Sequence, residues 1–392
     1  MKRLMKILRD RFHGERGMVL FSCVAILSIL LMVGIGSRVM LHNDYRVLSN
    51  LRAGTEAFYV SVAGLEWGKN ELAQSSTFPP APANGAASFA AGGFAVSFLP
   101  PTVAGPLSAK IVVRSVATLG SASHTIQAQL TKSYDLADGA IGLRGNGAQV
   151  VLNGAAIAIS GVDHDPASGL PLAKAKPRPA ISAGDESLRT LVDAAAASLP
   201  SGSLESAGET APVATSPYLP ASIVGQLANN ICALGGAIVS TLPIGGALTI
   251  ENQTWGSLST PQIRCIDGLP DSGDAITLAG AMAGAGVLVV RNADLVLTGS
   301  LRWDGLIIVT GTDVSLKVTG SSAKEVYGAA IVNEAGESSS RAILDVQGSV
   351  RLLFSRQALS QAAQLIPSSL LSNVYTALPV QVSQDYWRTV SP

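Results

Sequence analysis

Residues 18–37 read MVLFSCVAILSILLMVGIGS, without a single charge, and they decide how the rest of the chain is understood. A helix of about 20 apolar residues crosses the roughly 30 Å hydrocarbon core of a bilayer, so this stretch predicts a membrane span. The residues before it, MKRLMKILRDRFHGERG (1–17), carry Lys2, Arg3, Lys6, Arg9, Arg11 and Arg16 against Asp10 and Glu15. Such a basic flank holds the N-terminus in the cytoplasm and sends the remainder across. A secretory signal has a shorter apolar core and then a small-residue cleavage site. Here the run is full length and Arg38 follows it, so the span is expected to be retained.

Past the span, Leu48, Leu51, Thr55, Phe58, Val62, Leu65, Lys69 and Leu72 recur at spacings of three and four. That lays one stripe along a helix, with Thr55 and Lys69 off type. No proline lies between Met18 and Leu72, so one uninterrupted helix of roughly 80 Å is predicted.

Composition bounds what this helix carries. Six of the 27 basic and two of the 27 acidic residues lie in the first 17, which leaves the remainder at net −4. There is no basic field for nucleic acid. Charged residues make up 14% and glycines number 40, which suits a β-rich protein outside the cytoplasm whose solubility rests on Ser, Thr, Asn and Gln.

Residues 75–107 hold six prolines and read as a loop with at most one strand, 94–98. Residues 109–119 and 123–133 then form two strand-like runs around Gly120-Ser121-Ala122. In the second, Ile126, Ala128 and Leu130 alternate with polar neighbours, the period of a sheet with one wet face. An antiparallel hairpin against the helix is predicted.

Beyond Asp138, short apolar runs are separated by Gly, Asn and Asp, with Asn153-Gly154 as a turn between two of them. Lines beginning at Gly286, Gly305 and Gly328 repeat at 19 and 23 residues, and the first two share an apolar tetrad, a polar turn and a second strand ending Thr298-Gly299 and Thr319-Gly320. Periods near 20 residues with short strands predict coils of a parallel β-solenoid, with 246–250 and 274–278 as further coils; a mixed β-sandwich is the alternative. Helical insertions are predicted at 185–199, 220–233 and 355–365, the last capping an open solenoid end. The fold class is therefore α+β: a long helix with a small antiparallel sheet, then a mainly β region. The boundaries fall at a leader 1–17, a helix 18–73 with its membrane part at 18–37, a loop and hairpin 74–137, and a β-rich region 138–392.

Cys23 lies in the span and reads as a small apolar residue. Cys232 and Cys265 both lie in the exported part, where an oxidising compartment lets them pair across their loop; two free buried thiols are the alternative. Chemistry-bearing motifs are sparse. Asp163-His164-Asp165 lacks partners at zinc spacing and reads as an Asx-rich turn. Asp294 and Asp313, one coil apart, with Arg291 near, read as turn residues; an acidic cluster on one solenoid face would instead suit polysaccharide cleavage. Gly145-Asn146-Gly147 precedes a strand, not a helix, and is no phosphate loop. No set of Ser, His and Asp marks a nucleophile, so no catalytic residue, metal or cofactor is expected.

The order of a basic leader ending Arg16-Gly17, an apolar helix and then AFYVSVAGLEWGKNEL (57–72) resembles the N-terminal region of type IV pilin-like proteins, most of all the PilX-type minor pilin family. The hairpin RSVATLGSASHTIQAQL (114–130) and the closing Tyr386-Trp387-Arg388 are similar to that family too, the latter as an aromatic anchor for the tail. The resemblance implies cleavage after Gly17 by prepilin peptidase and methylation at Met18. It also implies partners among other pilins and pilus assembly proteins, met through the helix in the membrane. Three positions depart from the pattern: Met18 stands for the usual Phe, Val62 for a glutamate in many relatives, and Ser22 for the glutamate of major pilins. That glutamate pairs with the N-terminal amine of a neighbouring subunit, because an unpaired buried charge is costly. A subunit with no neighbour ahead does not need it. The function implied is a minor pilin-like subunit in the bacterial inner membrane, a single-pass protein with its C-terminal part exported. It would help initiate a pilus and sit at the tip, with a contribution to adhesion. A pseudopilin of a type II secretion system and a membrane-tethered polysaccharide-binding or polysaccharide-cleaving protein are the alternatives.

Overall fold

The computed structural model describes residues 2–89, 92–146, 149–154, 156–173, 178–206, 210–242, 246–270, 273–336, 342–372 and 374–390, with side chains from Met18 onward except Ala104. Gly147 and Ala155, which the sequence places beside predicted strands, lie outside these residues. Helix α1 runs unbroken over Lys2–Gln74, as the missing prolines require. It is the one helix among the described residues long and apolar enough to cross a membrane, with a mean hydropathy of 2.8 in its most apolar window.

The far half of α1 packs on an antiparallel sheet of β1 (Gly85–Phe89), β2 (Gly92–Phe98), β3 (Thr102–Gly105), β4 (Ser108–Leu119), β5 (Ala122–Tyr134) and a C-terminal strand, Val380–Val390. Their order is β1-β2-β4-β5-C-terminal strand, with β3 also on β4. Three strands thus occupy the stretch read from sequence as a loop, because Pro79–Pro82 and Pro100–Pro101 fall between elements and leave 85–98 free to pair. The core between helix and sheet holds Leu65, Leu72, Phe94, Val96, Ile111, Val113, Ile126, Ala128 and Leu130. On α1 the buried line is Ala57, Ser61, Gly64, Leu65, Gly68 and Leu72. Its small residues let the sheet come close: a Cβ on Gly64 would stand 2.2 Å from the Ser115 hydroxyl oxygen.

Between β5 and the C-terminal strand the chain builds a second body. All strand pairings between its coils are parallel, in a twelve-stranded and a six-stranded sheet, so the β region is solenoid-like and not a sandwich. The long strands Ala281–Arg291, Ser300–Gly311 and Lys324–Glu334 each cross from one face to the next at a glycine, and Gly286, Gly305 and Gly328 lie in register. All three have positive φ, and a Cβ on Gly305 would stand 2.0 Å from the Gly286 carbonyl oxygen. Only glycine fits such a column.

Stacking does not follow chain order. Along one face the strands run 238–241, 262–267, 286–291, 305–311, 328–334, 141–145, 181–183 and 213–215. The first coil of the chain (141–160) therefore stacks on the last (328–354), and the chain winds outward to 213–215. It then crosses back along α3 (Ala221–Cys232) to the far end. Helix α2 (Glu186–Ala196), N-capped by Asp185, covers the outer coils at one end through Leu188 and Val192. Helix α4 (Arg356–Ala363), N-capped by Ser355, does not cap an end: it lies with α3 across the central strands. These helices bury the outside of a face whose inside is already core. Val287–Val290, Leu306–Val309 and Ala329–Val332 are accordingly buried without alternation, as expected for parallel strands covered on both sides. Cys232 and Cys265 form a disulfide, Cα to Cα 5.8 Å, that ties the end of α3 to the strand Gln262–Asp267.

Candidate functional site

The near half of α1 has no partner within the chain. Phe21, Leu30, Met32 and Met40 are exposed, as are most large apolar residues from Met18 to Leu51. Gly17 and Met18 lie inside the continuous helix. The Ser22 hydroxyl donates to the Met18 carbonyl at 2.9 Å, a bond to its own helix that leaves no polar group needing a partner in an apolar setting. Cys23 is a free thiol on the same surface. Of the stripe read from sequence, Leu65 and Leu72 are buried, Phe58 and Val62 are half-buried against the sheet, and Leu48 and Leu51 are exposed. The face that meets the sheet thus combines Leu65 and Leu72 with the small residues Ala57, Ser61, Gly64 and Gly68, while Leu48 and Leu51 continue the exposed surface.

Where the helix ends, Lys132 fastens it. The side chain is fully buried, and its ammonium donates to the carbonyl oxygens of Leu72 at 2.7 Å, Ala73 at 3.3 Å and Ser75. These are carbonyls a helix leaves unsatisfied at its C-terminus, where a cation is also favoured by the dipole. Burial pushes the Lys132 ammonium down to about 8. Next to it Tyr134, Phe78 and Tyr375 bring their rings within 4.9–6.0 Å of one another, and the Tyr375 hydroxyl donates to the Pro106 carbonyl at 2.7 Å. Burial pushes both tyrosines up to about 12. The two strands that connect the bodies are tied here by Asp135 N–H donating to the Pro379 carbonyl.

Ionic groups lock the entry to the solenoid. Asp135 accepts from Arg178 and from Arg356, and Asp163 accepts from the Arg356 backbone N–H at 2.8 Å. Asp138 pairs with Arg144 at 2.8 Å, whose remaining donors reach the carbonyls of Leu143, Ser182 and Leu219. These pairs are structural; among the described residues the buried Arg178 Nε has no partner.

The motifs weighed for chemistry are dispersed. His164 turns inward to the Val162 carbonyl at 2.6 Å, and Asp165 caps the turn at Ala167 and Ser168, bonds that hold its carboxyl below its ordinary range. Asp294 is buried and accepts from Ser315 at 2.7 Å and Lys317 at 2.5 Å. Asp313 sits at a left-handed corner, and Arg291 is bidentate to Asp267 rather than to either of them. Among the described residues no group of three or more His, Cys, Asp or Glu is placed to hold a metal. The closing Tyr386 and Trp387 are about half exposed on the C-terminal strand, with Trp387 6.3 Å from Phe58; the tail is held by strand pairing with β5 rather than by a buried aromatic.

No family model matches the chain, and no curated protein does. Among solved structures, the competence-associated pilin ComZ from Thermus thermophilus is similar at 12% identity over 86% of this chain and 98% of that one, with a TM-score of 0.21. At that score the likeness carries no weight, and the fold stands on the elements described above.

Proposed function

We propose that this chain is a minor pilin-like subunit that works by assembly and display, not by catalysis. The observation that carries the reading is the division of one continuous helix. Its near half is apolar and unpartnered, and its far half is packed on a sheet from which the solenoid is hung by two adjacent strands. After removal of the leader at Gly17 and methylation of Met18, the helix would wait in the inner membrane. Packing against the helices of other subunits, along Leu48 and Leu51 among others, would then draw it into a filament. In this reading the functional units are the leader 1–17, the helix 18–73, the loop and hairpin 74–137, and the β region from 138, with the final strand returned to the hairpin. Ser22, satisfied within its own helix, suits a subunit with none ahead of it, and the solenoid's bulk suits the tip, where it is free to touch surfaces.

Mass analysis of the mature N-terminus in cells with and without prepilin peptidase tests this. The expected result is a chain beginning with methylated Met18 only where the peptidase is present. A chain beginning at Met1 in both would sink the assignment.

A further inference from the structure

Between α3 and the corner where the solenoid's helix-covered face ends lies a groove of about 1060 Å³. Its floor is Thr310 and Asn333, both buried, with the Asn333 amide donating to Thr310 at 2.9 Å and to the Ala221 carbonyl at 3.0 Å. The Asn333 side-chain oxygen has no partner among the described residues. One wall is α3, which presents Gln226, Asn229 and Asn230; the other is the corner turns, with Asn146, Asn292 and Thr312. Among the described residues the amides of Gln226, Asn230 and Asn292 take no side-chain hydrogen bond.

The groove's two charged residues are both engaged. Arg291 spends its guanidinium on Asp267 and on Asn229 at 3.0 Å. Glu334 accepts from the backbone N–H groups of Asp313, Val314 and Gly336. Among the described residues, what faces the opening beside Ala221, Ile223 and Ala335 is a set of amides and hydroxyls, each able to donate and accept, with no unengaged charge and no aromatic ring. A ligand matched to that lining is uncharged and rich in paired donors and acceptors, and its size range is that of ordinary ligand sites. We infer that the groove binds a neutral oligosaccharide, held by Gln226 and Asn230 on one side and Asn292 on the other.

This stands apart from the pilin-like reading, since it concerns the exported body alone. The test is calorimetric titration of the full chain in lauryldimethylamine oxide micelles, a detergent without a sugar headgroup. The probes are maltotetraose, cellotetraose, mannotetraose, chitotetraose and, as the acidic comparison, tetragalacturonate. The expected result is one-site binding of at least one neutral tetrasaccharide. The double variant Gln226→Ala/Asn230→Ala, which trims an exposed and a half-buried side chain on the α3 wall, weakens it by about tenfold or more, and tetragalacturonate binds about tenfold more weakly than the neutral sugar. No binding of any neutral probe up to about 5 mM, binding that survives the double variant, or equal binding of the acidic sugar would each overturn the inference.

Discussion

Raising the pH from about 7.5 to about 9.5 is expected to stabilise the joint between helix and sheet, and Lys132 is the cause. In the unfolded chain this lysine titrates near its ordinary 10.5, whereas burial in the fold pushes it down to about 8. Between those values the unfolded chain holds a proton that the folded chain has released, so stability climbs as pH rises through the window and is flat below it. Single-site linkage across these two pKa values yields a gain of about 2 kcal/mol between pH 7.5 and 9.5. The tyrosines alongside act in the opposite sense, because their folded values of about 12 lie above their ordinary 10. Their effect starts near pH 10 and stays outside the window. In Lys132→Met the carbonyls of Leu72, Ala73 and Ser75 lose their donor, a cost of about 1–3 kcal/mol. That cost is common to both pH values and cancels in the difference, so the variant loses the slope whatever its absolute stability. The assay is hydrogen exchange of β4 and β5 peptides in the full chain, corrected for the intrinsic pH dependence of exchange. A wild type with no rise, or a Met variant with the same rise, would refute the reasoning.

Three further outcomes follow from the packing. Replacing Cys232 and Cys265 by Ser opens a loop spanning 33 residues and should cost about 3–4 kcal/mol; it is read as a lower melting temperature with faster exchange confined to α3 and the strand Gln262–Asp267. Gly305→Ala puts a Cβ 2.0 Å from the Gly286 carbonyl oxygen at a positive φ. It should cost more than about 4 kcal/mol, visible as loss of the β signal in circular dichroism or as protease sensitivity across residues 262–354. Asp294→Asn weakens the bonds from Ser315 and Lys317 and should lower stability by about 1–3 kcal/mol with no change in any glycan-cleaving activity; acidic-glycan cleavage abolished by this change would instead place catalysis on the solenoid.

What could be read from the sequence was local and periodic. The tetrads after Gly286, Gly305 and Gly328 announce coils because burial on both sides of one face removes alternation, and the glycines that begin them are the ones that stack. The hairpin and the caps at Asp185 and Ser355 follow from turn and capping chemistry within a few residues. The helix face was harder. Large apolar residues mark the stripe from Leu48 to Leu72, yet beside Leu65 and Leu72 the contact with the sheet also runs through Ala57, Ser61, Gly64 and Gly68, where a small side chain is the requirement. Lys132 did carry a signal, since it continues the inward phase of Ile126, Ala128 and Leu130, and a lysine in phase with an apolar face points to carbonyls waiting for a cation.

The order of the coils had no such signal, because a parallel stack pairs strands through backbone groups that every sequence carries. Nothing in 141–145 distinguishes a neighbour at 328–334 from one at 286–291. The arrangement nonetheless has a mechanical consequence. Because the first coil stacks on the last, the chain enters and leaves the solenoid at one place, beside Asp135 and Pro379, and both connections run straight into adjacent strands of the helix-bound sheet. Tension on α1 against something held by the solenoid therefore loads β5 and the C-terminal strand together, along their length and across the hydrogen bonds between them. A solenoid stacked in chain order would be joined at opposite ends and pulled apart coil from coil. Under such a load, insertion through adjacent strands, the Cys232–Cys265 bond that anchors the long crossover, and the Lys132 clasp on α1 would together keep the solenoid attached to the helix.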